Sequence, residues 1–278
     1  MIWNFFAFFL LLAATSHAGV LRVDCPKSIG IGLPFMVRVQ SDEPMTRLRV
    51  EWNKRVLEIP VQGASDVQFL LGTDVLKSRT GSRNLRVLRL GLRPLATDVA
   101  IMIENRKFPA QHLKVSSAMA TPPAAVQARI AREQRLVQTV LGQVTPLDHL
   151  TLPLVRPVPG EISSAYGLKR FFNGHARNPH RGLDLRGVTG DPIQAASAGQ
   201  VVLTDEHYFG GRSVYLDHGQ GVHTVYMHLD EMLVKEGDMV EAGQVIGRVG
   251  MTGRVTGPHL HFGVYVLDLA VDPAKLFF

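Results

Sequence analysis

Short β-branched and apolar runs, cut every few residues by Gly, Pro, Asp or Asn, recur along most of this chain and leave little room for any fold that is not mainly β. In the front half the runs are Pro34 to Val39, Leu48 to Trp52, Val67 to Leu71, Leu85 to Leu90 and Val99 to Ile103. Strands at this spacing predict a sandwich of immunoglobulin-like size. From Gly160 onward the texture becomes Gly-rich, with strand candidates at Gln200 to Leu203, Ser213 to Leu216, Val222 to Met227, Gln244 to Val249 and Leu260 to Val266. No helical period appears there, so the second unit is expected to be an antiparallel sheet or open barrel. A chain of 278 residues can hold two domains, each with its own core.

One helix is expected between them. Val126, Ile130, Val137 and Leu141 share a face, with Thr121 as N-cap, Pro122 and Pro123 in the first turn, and Gly142 as the stop. Arg129, Arg132, Glu133 and Arg135 are assigned to the opposite, solvent-facing side. Leu147 to Pro159, with three prolines, reads as an extended linker. The expected organisation is therefore residues 1–18 as a signal peptide, 19–116 as the β-sandwich, 117–157 as helix and linker, and 158–278 as the second β domain.

The signal reading rests on Phe5 to Leu12, an apolar run too short to cross a bilayer, followed by Ser16-His17-Ala18, which suits a cleavage site before Gly19. The segment before that run carries no Lys or Arg, so retention as an anchor stays open as the alternative. Cys25 is the single cysteine, and no intramolecular disulfide can form. Charge is uneven: residues 19–115 hold 16 Lys and Arg against 9 Asp and Glu, whereas residues 116–278 hold 14 against 15. The basic front half is a candidate contact for anionic envelope surfaces, and ordinary solubilising charge is the competing reading. Nucleic acid is a poor partner for an exported protein.

Eight of the 11 histidines follow Gly160, and three clusters have a chemical logic. These are His180-Arg181-Gly182-Leu183-Asp184, Tyr226-Met227-His228-Leu229 and Gly257-Pro258-His259-Leu260-His261. In a strand, residues i and i+2 point to one face, so His259 and His261 look into one groove. Two imidazoles and a carboxylate suit zinc and leave a fourth position for water, the arrangement that a metallopeptidase requires. A histidine standing beside the ion can accept a proton or stabilise an oxyanion.

The joint pattern H-x-x-x-D, Y-x-H-L and G-P-H-L-H resembles the lysostaphin-type, or LytM-like, zinc metallopeptidases that cut bacterial peptidoglycan. The likeness runs from about Val158 to the C-terminus, and the basic β domain followed by a helix is similar to the front half of Gram-negative members. The resemblance implies that His180, Asp184 and His261 hold one zinc ion and that His228 and His259 are catalytic. It also implies a periplasmic or cell-envelope location and a D,D-endopeptidase acting on the D-alanyl to meso-diaminopimelate cross-link. Degenerate relatives that activate amidases without cutting anything have usually lost one or more of the five residues, and all five are present here.

Three rival readings fit the sequence less well. Two histidines and a carboxylate can hold iron in an oxygenase, but that class leaves the other two groove histidines unexplained. A non-catalytic wall-binding or amidase-activating module is opposed by the complete set of five. A carrier hairpin around Glu236 to Gly243 lacks a lysine in an attachment turn. His218 is expected in a turn, His175, His207 and His223 on the surface or at the groove's border, and the front domain outside the chemistry, because no metal-site cluster precedes Gly160.

Overall fold

The computed structural model describes residues 19–114, 121–146 and 148–277, and the expected signal peptide lies outside them. In the front part, β1 (Leu21–Asp24), β3 (Pro34–Ser41) and β6 (Asp66–Gly72) form one sheet. The second sheet has the order β2 (Ser28–Gly30), β8 (Leu95–Glu104), β7 (Gly81–Leu90), β4 (Arg47–Trp52), β5 (Arg55–Pro60). Strand alternation supplies the core. Phe35, Val37 and Val39 of β3 and Leu48, Val50 and Trp52 of β4 are buried between the sheets. The Phe35 and Trp52 rings meet edge to face at 5.4 Å, and Trp52 Nε1 donates to the Gly72 carbonyl at 2.7 Å, joining the two layers. All five front-half runs fall inside these strands.

The second part is one curled antiparallel sheet. Its order is β10 (Ile162–Ser164), β13 (Leu183–Arg186), β20 (His259–Val266), β17 (Val222–Met232), β16 (Gly211–Asp217), β15 (Gly199–His207), β18 (Met239–Val240). Beside it, β19 (Val245–Val249) pairs with both β14 (Pro192–Gln194) and β17, and β21 (Leu269–Val271) pairs with β20. One face is core, where Phe262 lies 5.3 Å from Tyr226 and Leu185 and Leu260 are fully buried. The other face carries Asp184 and His261, which are register partners across β13 and β20.

The connecting segment departs from expectation in three ways. The helix α1 spans Ala124–Leu141, with Pro123 at the N-cap and no side-chain cap, so Thr121 does not fill that role. Ile130 and Leu141 are buried as expected, and Gly142 ends the helix. Glu133 is not on the solvent face. Its carboxylate is buried, accepting from Arg129 Nε at 2.6 Å and from the Tyr208 amide at 2.9 Å, and these bonds offset the cost of taking it out of water. The proline-rich stretch is not a free spacer either. Leu154 N donates to Leu276 O and Val155 N to Ala196 O, both at 2.8 Å, while Leu154 and Val158 enter the core. Prolines 153, 157 and 159 lack N–H groups, but the Leu154 and Val155 amides between them find carbonyl partners in the second part, at Leu276 and Ala196.

The two parts also share backbone. β9 (Ala110–Leu113) runs parallel to β11 (Lys169–Phe172), which pairs on its other side with β12 (His175–Ala176). Nearby, Arg181 donates to the fully buried Asp74, and the Tyr166 hydroxyl accepts from Val75 N and donates to Ala270 O.

Candidate active site

His180 sits in the loop before β13, where its amide donates to Leu168 O and its carbonyl accepts from Gly167 N. Its Nδ1–H donates to the Ala165 carbonyl at 2.9 Å, which leaves the Nε2 lone pair aimed inward. That Nε2 lies 2.9 Å from Asp184 Oδ1 and 3.0 Å from His261 Nδ1, and His261 Nδ1 is itself 2.9 Å from Asp184 Oδ1. Gly182 makes this convergence possible, because a Cβ there would come within 2.7 Å of the His261 ring and 2.6 Å of the Phe262 carbonyl. The glycine inside the H-x-x-x-D motif is thus a packing requirement.

Asp184 is oriented from its far side. Arg170 of β11 donates to Oδ2 at 2.9 Å, so Oδ1 alone faces the imidazoles. Burial pulls the carboxyl upward, but hydrogen bonds to His180 and His261 outweigh it and hold Asp184 well below the usual carboxylate range. Burial pushes His180 down, which favours the neutral imidazole that a metal needs. Two nitrogens and one carboxylate oxygen, all within 4.8 Å of one another, form a group that could hold a metal ion. This mixed N and O donor set fits zinc.

His228 reaches the groove by a backbone device. Met227 is the register partner of His261, so strict alternation would send residue 228 to the core face with Tyr226. The pairing of β17 with β16 slips between Val214 and Arg212, opposite Tyr226 and Leu229, and His228 takes a left-handed φ of 69°. Such a bulge re-aims a side chain. The His228 ring comes 4.9 Å from that of His259 and 6.2 Å from that of His261. Its Nδ1–H donates to the Thr252 carbonyl at 2.9 Å, and His259 Nδ1–H donates to the Gly257 carbonyl at 2.9 Å. Both Nε2 atoms therefore keep a lone pair. Burial, assisted by His261 and His259, pushes His228 down to about 3, so it is neutral near pH 7.

His228, His259, His261 and Asp184 line one cleft of about 480 Å³, together with Arg170, Arg186 and Arg254, and His180 lies beneath it. The five residues singled out in the sequence are thus brought together. Sequence reasoning missed Arg170, Thr252 and Gln111, which also bear on the site. A carbonyl acceptor such as that of Thr252 leaves no signature in residue type. Three histidines placed at turns or surfaces are in fact inaccessible. His218 and His223 are fully buried and His207 nearly so, whereas His175 is exposed on β12. His218 does lie in the turn between β16 and β17, but buried there, whereas His207 and His223 belong to β15 and β17.

Residues 178–273 match the model of peptidase family M23. The C-terminal part of this chain is an M23 peptidase domain. Over 116 residues the chain is 41% identical to peptidoglycan DD-endopeptidase ShyB of Vibrio cholerae, covering 41% of this chain and 27% of that protein. It is 36% identical over 115 residues to DD-carboxypeptidase/endopeptidase Mpg of Neisseria meningitidis, covering 41% and 26%. The M23 match thus spans about a quarter of the length of these curated relatives. A crystal structure from Pseudomonas aeruginosa, described as a candidate M23 peptidase, covers 88% of this chain and 94% of its own, with a TM-score of 0.69 and 28% identity. The likeness therefore reaches from the M23 domain well into the front sandwich.

Proposed function

We propose that this protein is a zinc-dependent endopeptidase that hydrolyses peptide cross-links of bacterial peptidoglycan outside the cytoplasm. In this reading residues 158–278 are the catalytic unit, 19–116 a β-sandwich, and 117–157 their connection. The observation that carries it is the joint placement of His180, Asp184 and His261 around one point, with His228 and His259 on the same cleft.

His180 Nε2, Asp184 Oδ1 and His261 Nδ1 would hold a single zinc ion. When bound there, zinc supplies Lewis acidity, polarising the scissile carbonyl and lowering the pKa of an attacking water toward neutrality. The protein's own groups do the rest. With Nδ1–H committed to backbone carbonyls, His228 and His259 each present Nε2 as a proton acceptor to the cleft. Once protonated, the same Nε2–H becomes a donor that can stabilise a tetrahedral oxyanion or return its proton to the leaving amine. Arg170 keeps Asp184 in one orientation throughout.

The relatives' names as DD-endopeptidases support cleavage of a D,D bond, which the family resemblance places between D-alanine and meso-diaminopimelate, and action on peptidoglycan supports an exported, periplasmic or cell-envelope location. Among the described residues no helix is long and apolar enough to cross a membrane. The excess of positive charge in residues 19–115 supports a role for the front sandwich in holding the enzyme against anionic envelope polymers.

Incubating the zinc-loaded protein with purified sacculi and identifying the released muropeptides by mass spectrometry tests the proposal. Conversion of cross-linked dimers to monomers with a new D-alanine carboxyl terminus is expected. Intact cross-links after incubation with zinc-replete protein would overturn it.

A further inference from the structure

The cleft wall is not made by the M23 domain alone. Gln111 of β9, a residue of the front part, lines the same cleft as His228, His259 and His261. It stands there by strand pairing: β9 adds in parallel to β11, with Gln111 in register with Arg170, the residue that orients Asp184. Alternation then separates the neighbours. His112 and Phe171, the next register pair, stack with ring centroids 4.6 Å apart, and that contact helps to hold β9 in place.

The Gln111 Oε1 atom is buried yet has no hydrogen-bond partner among the described residues. A buried amide oxygen without a partner is costly, and in a binding cleft it marks a place where a ligand donor completes the set. No described side chain satisfies it. Around it the cleft is rich in guanidinium groups, from Arg170, Arg186 and Arg254, which favours a ligand carrying carboxylates.

We infer that Gln111 and β11 together form a substrate subsite, in which the Gln111 carboxamide oxygen accepts a hydrogen bond from an N–H of a carboxylate-bearing stem peptide laid along the cleft. The inference rests on the peptidase reading and deepens it. It makes the front part of the chain, through β9, a contributor to substrate binding, which the absence of metal-site motifs before Gly160 does not suggest. Gln111 acts by binding and moves no proton.

The test uses the full chain and a soluble cross-linked muropeptide dimer. Binding is measured by calorimetry on His228→Ala, which slows turnover, and on the double variant His228→Ala/Gln111→Met, in which the methionine keeps the volume but offers no amide. Weakening of the Kd by about tenfold is expected, the effect of one lost hydrogen bond to a buried acceptor. Zinc content and Tm should stay within error, and Gln111→Glu, which retains an acceptor oxygen at similar reach, should recover most of the affinity. An unchanged Kd in the Met variant would overturn the subsite while leaving the peptidase reading intact. Wild-type protein that binds the dimer in a Gln111-dependent way but never cuts it would overturn the peptidase reading and support the subsite. Failure of the dimer to bind at all would sink both.

Discussion

Arg170 donates to Asp184 Oδ2 at 2.9 Å, so that Oδ1 is the oxygen turned toward His180 and His261. Arg170 belongs to β11, the strand to which β9 of the front part is added. The orientation of one candidate zinc ligand is thus tied to the junction between the two parts of the molecule. Arg170→Met should keep the fold but free the carboxylate to rotate, and zinc affinity is expected to fall roughly 10–100-fold. Competition with a chromophoric chelator measures this, and an unchanged affinity would show that Asp184 is held by other contacts.

Variants of the five cleft residues should fall into two groups. His180→Ala, Asp184→Ala or His261→Ala removes one of three protein ligands, so bound zinc and peptidoglycan cleavage are expected to disappear together. His228→Ala and His259→Ala leave the ligand set whole, and they should stay zinc-loaded while losing on the order of 10²–10⁴-fold in rate. Zinc stoichiometry measured beside muropeptide release separates the groups. Loss of metal from His259→Ala with retention by His261→Ala would reverse the assignment within the H-x-H pair.

The junction itself can be probed at Asp74. Its carboxylate is fully buried and accepts from Arg181, from Ala270 N and from two amides of its own turn. Asp74→Ala strands the Arg181 guanidinium without its counter-charge, and a loss of about 3–5 kcal/mol is expected from urea unfolding. A loss below about 1 kcal/mol would mean that water reaches and compensates Arg181.

Acid should destabilise the fold through His218, away from the zinc cluster. Its Nδ1–H donates to Ala198 O at 2.6 Å and its Nε2 faces Thr224 Oγ1 at 2.8 Å, with burial the main force pushing its pKa from 6.5 down to about 4. The unfolded chain therefore binds this proton first as pH falls. Stability should be constant above about pH 7, drop by about 3 kcal/mol between 6.5 and 4, and level off for this group below that. Urea titrations in the presence of a chelator keep metal release out of the measurement. If His218→Gln shows the same loss across that window, the titrating group lies elsewhere.

The residue types of the site were legible because metal chemistry restricts them: few side chains bind zinc, and their motifs sit within short stretches of a strand-rich chain. Alternation along β20 was enough to place His259 and His261 on one face, and the turn formers were enough to mark ten strands. What that alternation misstates is His228. Read by period alone it points to the core beside Tyr226, and only the slipped pairing with β16 and the left-handed backbone turn it into the cleft. Gln111 shows the same limit over a longer range. Nothing local distinguishes it from any exposed polar strand residue, and its place in the cleft exists only because β9 pairs with β11, some 60 residues away in the chain. Glu133 and His218 likewise carry the composition of surface groups, and the hydrogen bonds that make their burial tolerable come from Tyr208, Ala198 and Thr224. Side-chain chemistry and period, properties of neighbouring residues, determined the donor set and the strands. Register, bulges and long-range hydrogen bonds, which depend on energies summed over distant segments, decided which way those donors face and what stands beside them.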